Sequence, residues 1–378
     1  MSDMALYIHI PFCRRRCKYC SFVSFDSSED NIPAYVNAVK KELELRSCDC
    51  HIRSIYFGGG TPSLLSIRQL TEILSSIDKY YSIAGNAEIT IEANPGTVDY
   101  KYLEGIKAAG INRLSLGIQS FNDVELQMLG RTHSSKEAVE AIKEVREAGF
   151  DNLNIDLIYG LPGQTVGDWG KNLLKAIKVN PEHISLYALT LEHEEALFKE
   201  IESGKLPEIS ADTAASQYEL AEDLLQKHGY KHYEISNWAK PGRECRHNLV
   251  YWQECAYIGA GVAAHSYVGK RRTGNTGDLD KYITSLSQNS LPPLEVDEEI
   301  TPELEIAESI ILGLRLCDGI CLQDFEKRFG VDIMKRYSHQ IEELLDFELI
   351  EIDKNIRLTL QGRLLGNEVF WRFLPDKV

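Results

Sequence analysis

Short apolar runs alternate with helical periodicity through the first half of the chain. The runs are rich in β-branched or aromatic residues and are bounded by Gly, Pro, Asn or Thr, as strands are. The predicted strands are residues 5–10, 54–57, 88–93, 113–119, 153–159 and 183–189. Between them, apolar residues recur on single helical faces, for example at Val139, Ile142 and Val145. Six strand–helix repeats in series predict parallel strands joined by right-handed crossovers, in a complete or partial barrel.

The alternation stops after about residue 195. Residues 211–227 have the pattern of a helix, residues 232–238 that of one more strand, and residues 257–277 are rich in glycine. The run Leu291-Pro-Pro-Leu predicts a linker. From residue 302 onward the pattern predicts three helices, a short hairpin around residues 353–355 and a final helix, which is the order of a small winged-helix module. We therefore divide the chain into segments 1–195, 196–297 and 298–378.

The net charge of the chain limits the classes of molecule that it is expected to bind. The 378 residues include 57 acidic and 41 basic ones, for a formal net charge of −16. This balance argues against a protein that binds nucleic-acid backbones. Residues 301–378 alone carry 15 acidic and 10 basic residues, so we expect no DNA-reading role for the winged-helix segment. No apolar run is long enough to cross a membrane, and the N-terminus lacks the pattern of a signal peptide. We expect a cytoplasmic protein.

Three of the nine cysteines form a cluster directly after the first predicted strand, in Cys13-Arg-Arg-Arg-Cys17-Lys-Tyr-Cys20. Thiolates at this spacing on a tight loop can ligate three corners of a [4Fe–4S] cluster and leave the fourth iron open to another ligand. An odd number of cysteines without a secretion signal makes a disulfide framework a poor expectation.

The spacing of these cysteines is also compatible with other interpretations. The three thiols could bind zinc together with His9 or with the pair Cys48 and Cys50, or they could be unrelated loop residues. The segment Cys48-Asp-Cys50-His51 has a metal-like spacing of its own. We interpret it as surface or core rather than as a metal site.

The cysteine motif, in the context His9-Ile-Pro-Phe-Cys13, resembles the radical S-adenosylmethionine (SAM) superfamily. Within it, the chain resembles the branch of oxygen-independent coproporphyrinogen III oxidases and HemW-type heme chaperones. The likeness covers nearly the whole chain through Gly58-Gly-Gly-Thr-Pro62, Glu92-Ala-Asn-Pro-Gly96, Gly117-Ile-Gln-Ser-Phe121, Gly130-Arg-Thr-His133 and Asp156-Leu-Ile-Tyr-Gly-Leu-Pro162. The resemblance implies a partial (β/α)6 TIM-like barrel of the radical SAM type, with a small C-terminal winged-helix-like domain.

Polar residues interrupt three otherwise apolar strands near their carboxyl ends: Glu92, Gln119 and Asp156. In a barrel, that end collects the ligand site. A carboxylate there can accept hydrogen bonds from ribose hydroxyls, and Arg131 can hold a carboxylate with its forked donors. The alternative for each is a satisfied polar residue at a strand end, and for Gly58–Gly60 a plain strand–helix turn.

The resemblance assigns a cofactor to these positions. It implies a [4Fe–4S] cluster on Cys13, Cys17 and Cys20, whose open iron is chelated by the amino and carboxylate groups of SAM. One-electron reduction of the cluster then cleaves the sulfonium to a 5′-deoxyadenosyl radical in that family. The residues that match SAM-contacting positions are Tyr7, Tyr19, Gly59, Gly60, Thr61, Glu92, Gln119, Arg131, Asp156 and Ala188.

Two departures separate this chain from the oxidases. Those enzymes carry a fourth cysteine two residues after the triad, where this chain has Phe22, and a long segment before the motif, where this chain has only 12 residues before Cys13. Neither departure removes a cluster ligand. Both argue against coproporphyrinogen III oxidase activity.

The motif His247-Asn-Leu-Val-Tyr251-Trp252 points toward heme. A histidine can ligate heme iron and aromatic rings can pack against a macrocycle, although a packed loop is the alternative. The resemblance implies that His247 binds heme with packing from Asn248, Tyr251 and Trp252, as in HemW-type chaperones. Cys245 is a second ligand or, by preference, an inert thiol, and His265 is expected on a cofactor-facing loop.

These observations favour a heme chaperone that passes heme to an apo-protein, with a respiratory-chain membrane protein among the acceptors. The alternatives are the oxygen-independent coproporphyrinogen III oxidase and a radical enzyme with another substrate. Arg14, Arg15, Arg16 and Lys18 form either a solvated loop or a docking face for a flavodoxin or ferredoxin-like electron donor. The resemblance also implies a homodimer.

Overall fold

The computed structural model describes residues 2–26 and 28–375. Residue 1, residue 27 and residues 376–378 lie outside the described residues. The strands are β1 Ser2–Ile10, β2 Phe12–Cys13, β3 Phe25–Asp26, β4 Cys50–Gly59, β5 Ser82–Ala93, β6 Arg113–Gln119, β7 Leu153–Tyr159, β8 His183–Ala188, β9 Lys231–Glu234, β10 Asn237–Ala239, β11 Tyr257–Ala260, β12 His265–Val268, β13 Arg271–Asn275, β14 Leu294–Glu299, β15 Ile320–Cys321, β16 Ile350–Ile352 and β17 Asn355–Leu358.

Helices alternate with these strands in the first half of the chain and dominate its last part. They are α1 Ile32–Leu45, α2 Ile67–Tyr80, α3 Tyr100–Ala108, α4 Asp123–Met128, α5 Ser135–Glu147, α6 Val166–Lys178, α7 Ala196–Glu202, α8 Ala211–Lys227, α9 Arg246–Trp252, α10 Leu279–Ser287, α11 Pro302–Gly313, α12 Leu322–Phe329, α13 Ile333–Arg336, α14 Ser338–Asp346, α15 Leu360–Leu364 and α16 Gly366–Phe370. Within the described residues, no helix combines the length and apolarity that crossing a bilayer requires.

One 12-stranded sheet organises the molecule, in the order β14-β13-β12-β11-β1-β4-β5-β6-β7-β8-β10-β9. The strands from β11 through β1, β4, β5, β6 and β7 to β8 run parallel. Over the described residues the sheet has two separate edges, β14 and β9, and does not close into a barrel. The predicted partial (β/α)6 barrel is confirmed, with antiparallel strands added at both edges.

The six predicted parallel strands are all present, and the periodicity explains why. Strands β6 and β7 are buried almost along their whole length, as expected for parallel strands covered on both faces. Helix α5 buries Ile142 and Val145 as predicted, together with Ala138, but the prediction was wrong for Val139, which is 45% exposed. Capping boxes at Ser66 and Ser134 fix the starts of α2 and α5. Because the strands are parallel, their carboxyl ends meet at one edge of the sheet.

Residues 196–297 extend this sheet and share its core. Tyr218, Trp238 and Tyr282 pack into the same apolar cluster as the strands of the first segment. The strand predicted over residues 232–238 is in fact the pair β9 and β10, which turn between Glu234 and Asn237. The glycine-rich stretch 257–277 is not a loop: it forms β11, β12 and β13. The glycines in this stretch interrupt the pattern of apolar and polar residues by which strands are recognised in a sequence.

The C-terminal segment has its own apolar cluster, which includes Ile310, Phe325, Ile341, Ile356 and Phe370. Its order of helices, hairpin and final helices matches the predicted winged-helix-like module, with the short α13 and strand β15 added. The predicted linker at residues 291–294 leads straight into β14, an edge strand paired with β13. A proline pair before an edge strand is compatible with pairing on one side only.

Candidate functional site

A cavity of about 360 Å³ opens where the parallel strands end. Its wall combines the cysteine loop with residues from β4 through β8, so a single site draws on segments that are far apart in sequence. The predicted site residues that line it are Cys13, Cys17, Tyr19, Cys20, Gly59, Gly60, Thr61, Glu92, Gln119, Arg131, Asp156, Ala188 and Asn248. Tyr7, His247, Tyr251 and Trp252 are not part of this wall.

The three cysteines are free thiols that face the same cavity. The Cys13 sulfur lies 3.5 Å from the Thr61 hydroxyl, and Arg131 Nη1 donates to the Cys17 sulfur at 3.5 Å. Burial raises the pKa of Cys13 and of Cys20, and a bound metal cation would favour their thiolate forms. Among the described residues, the three sulfurs are not arranged as the ligands of a metal ion. They supply three soft donors with hydrogen-bonding neighbours, which fits an iron–sulfur cluster.

The candidate fourth zinc ligands are engaged elsewhere. His9 is buried, with its Nδ1 at 3.0 Å from the Tyr7 hydroxyl and its Nε2 at 2.9 Å from the Val23 carbonyl. Cys48 and Cys50 are joined as a disulfide, a pairing that the sequence interpretation did not predict. Because it links two neighbours in one turn, it is not the framework of a disulfide-rich protein.

Glu92 is held at the end of β5 by two donors. The Tyr56 hydroxyl donates to its Oε1 at 2.8 Å, and the backbone N–H of Gly59 donates to its Oε2 at 3.1 Å. Burial, with the negative charge of Asp156 nearby, raises the pKa of Glu92 to about 7. The carboxylate is therefore oriented and retains lone pairs for a hydroxyl-bearing ligand.

Asp156 sits in a polar network one strand further along. Its oxygens accept from the Ser115 hydroxyl at 3.1 Å and from the Asn154 amide at 2.8 Å, and burial raises its pKa. Asn154 also accepts from the Ser185 hydroxyl at 3.1 Å. The buried Arg113 guanidinium lies within this group and lowers the pKa of Asp156 in opposition to burial.

Gln119 and Arg131 fix the next part of the wall. Gln119 ends β6 with φ of 67°, a left-handed conformation that is uncommon for a residue with a side chain. The register of β6 against β7 shifts at this same position. Arg131 Nη2 donates to the Gly117 carbonyl at 2.6 Å and also to the Asn94 side chain. The backbone distortion therefore coincides with the ligand-facing end of the strand.

Gly59 shows why the glycine-rich turn needs its glycines. It has φ of 115°, and a Cβ atom there would lie 2.5 Å from the His9 ring. No side chain fits this position without displacing His9, and the left-handed backbone disfavours one as well. The backbone N–H of Gly59 donates to Glu92 from this position.

His247 lies behind the cavity wall and is 2% exposed. Its Nδ1 is 3.0 Å from the Ser54 hydroxyl and its Nε2 is 2.9 Å from the Tyr251 hydroxyl. Burial lowers its pKa to about 3, so the ring is neutral. The ring also stacks on Tyr56 at 5.0 Å between centroids. Both nitrogens therefore have protein partners, and the ring supports the tyrosine that orients Glu92.

The rest of the motif points in different directions along α9. Asn248 reaches the cavity, whereas Trp252 packs under the Arg315 guanidinium at 5.1 Å from its ring centroid. Cys245 is fully buried, and burial raises its pKa to about 12, as expected of an inert thiol. His265 lies in β12 with an exposed side chain and is not in the cavity wall, so its expected place on a cofactor-facing loop is wrong.

The basic residues of the cysteine loop divide into two groups. The side chains of Arg14, Arg15 and Arg16 are exposed. Lys18 is partly buried and pairs with Glu200 at 2.8 Å. Phe22, which replaces the fourth cysteine, is 65% exposed at the mouth of the cavity.

Sequence reasoning missed part of the cavity wall, notably Tyr56, Arg113, Asn154 and Ser185. The sequence does carry a signal for these residues, because each is a polar or amphipathic residue within an otherwise apolar parallel strand. What could not be read from the sequence is which face each residue occupies, because both faces of a parallel sheet are buried.

Comparison with known proteins agrees with this arrangement. Residues 7–176 match the radical SAM superfamily, and residues 300–365 match the HemN C-terminal domain. The chain is 35% identical to the heme chaperone HemW of Bacillus subtilis over 98% of this chain and 99% of that protein. It is 40% identical to the heme chaperone HemW of Synechocystis over 84% of this chain and 79% of that protein.

A solved structure shows the same architecture. Coproporphyrinogen III oxidase (HemN) from Escherichia coli, described as a radical SAM enzyme, aligns with a TM-score of 0.86 and 25% identity, over 98% of this chain and 90% of that one. The fold alone thus accommodates both branches. Full-length identity to the chaperones, with the cavity and the cysteine loop in place, decides between them: this chain belongs to the HemW family of the radical SAM superfamily.

Proposed function

We propose that this protein is a heme chaperone of the cytoplasm that binds heme and transfers it to an acceptor protein. Its scaffold would hold a [4Fe–4S] cluster and SAM. The observation that carries the proposal is the combination of full-length similarity to HemW proteins with a cavity of cofactor size. At about 360 Å³ the cavity is near the lower end of the range for small-molecule sites, roughly 300–1,000 Å³.

The chain's own residues have defined tasks at this site. Cys13, Cys17 and Cys20 would ligate three irons, and the bound cluster with SAM would supply one-electron chemistry. Glu92 is oriented to accept hydrogen bonds from hydroxyls of the bound nucleoside. Arg131 donates a hydrogen bond to the Cys17 sulfur, and its hydrogen bond to the Gly117 carbonyl fixes its position beside the cavity.

The role of His247 as a heme ligand remains a prediction, and its surroundings define what it requires. Iron could reach Nε2 only after Tyr251 released it and after a ring that is 2% exposed became accessible. Loss of buried hydrogen bonds costs on the order of 1–3 kcal/mol for each group left unsatisfied. Heme binding and heme ligation by His247 are therefore separate questions.

The proposal is tested by a hemin titration of the anaerobically reconstituted chain, followed by absorbance. We expect one saturating site, and transfer of the bound hemin to an added apo-globin that is faster than transfer from a non-specific carrier such as albumin. A parallel titration of His247→Ala shows whether the histidine contributes to the spectrum. Non-saturating binding, or hemin that never reaches the acceptor, would contradict the proposed function.

A second candidate is the oxygen-independent coproporphyrinogen III oxidase, favoured by the likeness to the E. coli enzyme. The presence of Phe22 in place of the fourth cysteine counts against it. Anaerobic incubation with coproporphyrinogen III, SAM and a reductant separates the two. Loss of two carboxyl groups from the substrate, measured by mass spectrometry, would favour the oxidase function over the chaperone function.

The exposed arginines of the cysteine loop support a proposal about the electron donor. Arg14, Arg15 and Arg16 form a positive face on an acidic chain, which suits an acidic flavodoxin or ferredoxin-like protein. Neutralising the three to Gln should slow cluster reduction at low salt, with unchanged iron content. The matched control neutralises the exposed Arg68 and Lys143. Equal rates of cluster reduction in the unchanged chain, the arginine variant and this control would contradict the proposed donor-binding face.

The remaining partner proposals follow from the family. The acceptor would be an apo-protein of a respiratory chain, and a membrane protein would receive heme by transient contact. The homodimer is tested by analytical ultracentrifugation with and without the reconstituted cluster. A single monomeric species under both conditions would refute it.

A further inference from the structure

His247 belongs to an aromatic cluster that supports the cofactor cavity from behind. Its ring stacks on Tyr56 with 5.0 Å between centroids and 26° between the ring planes. Tyr7 lies 6.3 Å from both rings. Rings packed this closely restrict one another, so the position of Tyr56 depends on the presence of the other two.

Tyr56 connects this cluster to the cavity. Its hydroxyl donates to Glu92 Oε1 at 2.8 Å, and both residues line the cavity. A tyrosine side chain has two rotatable bonds, so packing against its ring also fixes its hydroxyl. The orientation of Glu92, the proposed acceptor for the bound nucleoside, therefore depends on His247, a residue outside the cavity wall.

Asn248 makes a second connection between α9 and the cavity. It lines the cavity, whereas the preceding residue, His247, lies behind the wall and is 2% exposed. Consecutive residues on a helix differ by roughly 100° around its axis, so the two side chains leave α9 in different directions. A displacement of the first turn of α9 would shift both the ring under Tyr56 and the amide in the wall.

The packed position of His247 excludes iron. Its Nδ1 lies 3.0 Å from the Ser54 hydroxyl and its Nε2 lies 2.9 Å from the Tyr251 hydroxyl. An imidazole nitrogen ligates a transition metal at roughly 2 Å. A macrocycle cannot bring its iron that close to a ring buried among these side chains. To ligate heme, the ring must separate from Tyr251 and from Tyr56.

We propose that His247 has two mutually exclusive positions: packed on Tyr56 it is a positioning residue for SAM, and bound to heme iron it withdraws from the cofactor site. The inference rests on the proposed heme-chaperone function and adds that heme ligation and SAM binding oppose each other. By thermodynamic linkage, heme weakens SAM binding by the same factor as SAM weakens heme binding.

This coupling has a consequence for heme transfer. The chain binds heme most tightly when the SAM site is empty. Binding of SAM favours the return of His247 to Tyr56, which removes the histidine from the iron. An acceptor protein then competes for a heme that has lost its protein ligand, so SAM binding by itself promotes release.

The experiment measures SAM affinity by equilibrium dialysis on the anaerobically reconstituted full-length chain, without reductant, in the presence and absence of hemin. Saturating hemin should weaken SAM binding about fivefold or more, the lower end of typical couplings between sites. The reciprocal titration, hemin binding followed by absorbance with and without saturating SAM, should give the same factor. Metal-free protoporphyrin IX, which has the macrocycle but no iron to ligate, should leave SAM affinity unchanged.

Three variants identify the residues that carry the coupling. His247→Phe keeps a ring against Tyr56 and removes the iron ligand, so SAM affinity should stay within about twofold and hemin should no longer change it. Tyr56→Phe keeps the stack and removes the hydroxyl that orients Glu92, so SAM affinity should fall several-fold and the effect of hemin should shrink. Tyr100→Phe, at an exposed tyrosine outside the cavity wall, is the matched control and should behave as the unchanged chain does.

The outcomes separate the coupling from the function. Saturating hemin binding that leaves SAM affinity unchanged would overturn the coupling while the chaperone function stands. An equal loss of SAM affinity with protoporphyrin IX, or with hemin on His247→Phe, would show that the macrocycle obstructs the cavity and would also overturn the exchange of His247. Absence of saturating hemin binding by the unchanged chain would contradict the function itself.

Discussion

The two cavities of this protein handle buried charge in opposite ways. At the carboxyl ends of the strands, Glu92, Asp156 and Arg131 each have protein partners that fix their orientation. In the second cavity, which lies between β13, α11 and α16, Arg315 packs against the rings of Trp252 and Phe370 and has no carboxylate within 4.0 Å among the described residues. The first arrangement suits a resident cofactor that must be held in one position. In the second, aromatic packing positions the guanidinium.

Helix α9 connects the two regions. Asn248 faces the cysteine cavity, His247 supports Tyr56 behind that cavity, and Trp252 lies under Arg315. One short motif therefore contacts both sites through different residues. The comparison predicts that damage at one site leaves the other largely intact, which the loss of a cluster cysteine tests directly.

The largest effect is expected from Cys17→Ser. Removing one of three thiolates should abolish the cluster, measured as loss of iron, acid-labile sulfide and visible absorbance after anaerobic reconstitution. Hemin binding by the same variant should persist. Cys255→Ser, which alters an exposed cysteine outside both cavities, is the control. Loss of hemin binding in Cys17→Ser alone would show that hemin binding requires the cluster.

Glu92→Gln should weaken SAM binding by about tenfold or more. The amide loses one acceptor and turns an N–H₂ toward the N–H of Gly59 or the Tyr56 hydroxyl, and each unsatisfied buried group costs roughly 1–3 kcal/mol. Equilibrium dialysis with SAM measures the change. Glu351→Gln, at an exposed ion pair, should bind as the unchanged chain does. Equal affinities for Glu92→Gln and the control would remove Glu92 from the site.

The pH dependence of stability tests the same carboxyl without a cofactor. Folded Glu92 keeps its proton up to about pH 7, whereas an unfolded glutamic acid releases it near 4.5. Between these values the folded state binds more protons, so the free energy of unfolding falls as pH rises and levels off above about pH 7. Urea unfolding of the cluster-free chain should show a decline on the order of 2–3 kcal/mol that is reduced in Glu92→Gln. Parallel profiles for the two proteins would contradict the assignment.

The smallest effect is expected from His247→Ala at the cysteine cavity. Loss of the ring leaves Ser54 and Tyr251 without a partner and removes the stack under Tyr56. We expect unfolding to become easier by about 1–3 kcal/mol and SAM affinity to fall a few-fold, because Tyr56 orients Glu92. Tyr251→Phe, which removes one hydrogen bond and keeps the ring, should have a milder effect. Unchanged SAM affinity in His247→Ala would show that the stack does not reach the cavity.

Sequence reasoning was most successful where a residue's position follows from chain direction alone. Parallel strands bring their carboxyl ends together, so Glu92, Gln119 and Asp156 were expected at one site and all three line it. The sequence did not show the direction of each side chain. Tyr7 and His247 lie behind the wall, stacked on Tyr56, and their contacts with SAM and heme stay predictions.

The sequence alone determined the parallel sheet, the cysteine loop at the end of the first strand and the family to which the chain belongs. Periodicity and motif spacing are local properties, and they need no knowledge of what lies across the fold. Only the tertiary structure decided that both nitrogens of His247 are engaged, and that Arg315 meets Trp252, a residue 63 positions earlier in the chain. Such facts depend on which elements pack together, because a side chain's partners and its exposure are set by neighbours that are distant in sequence.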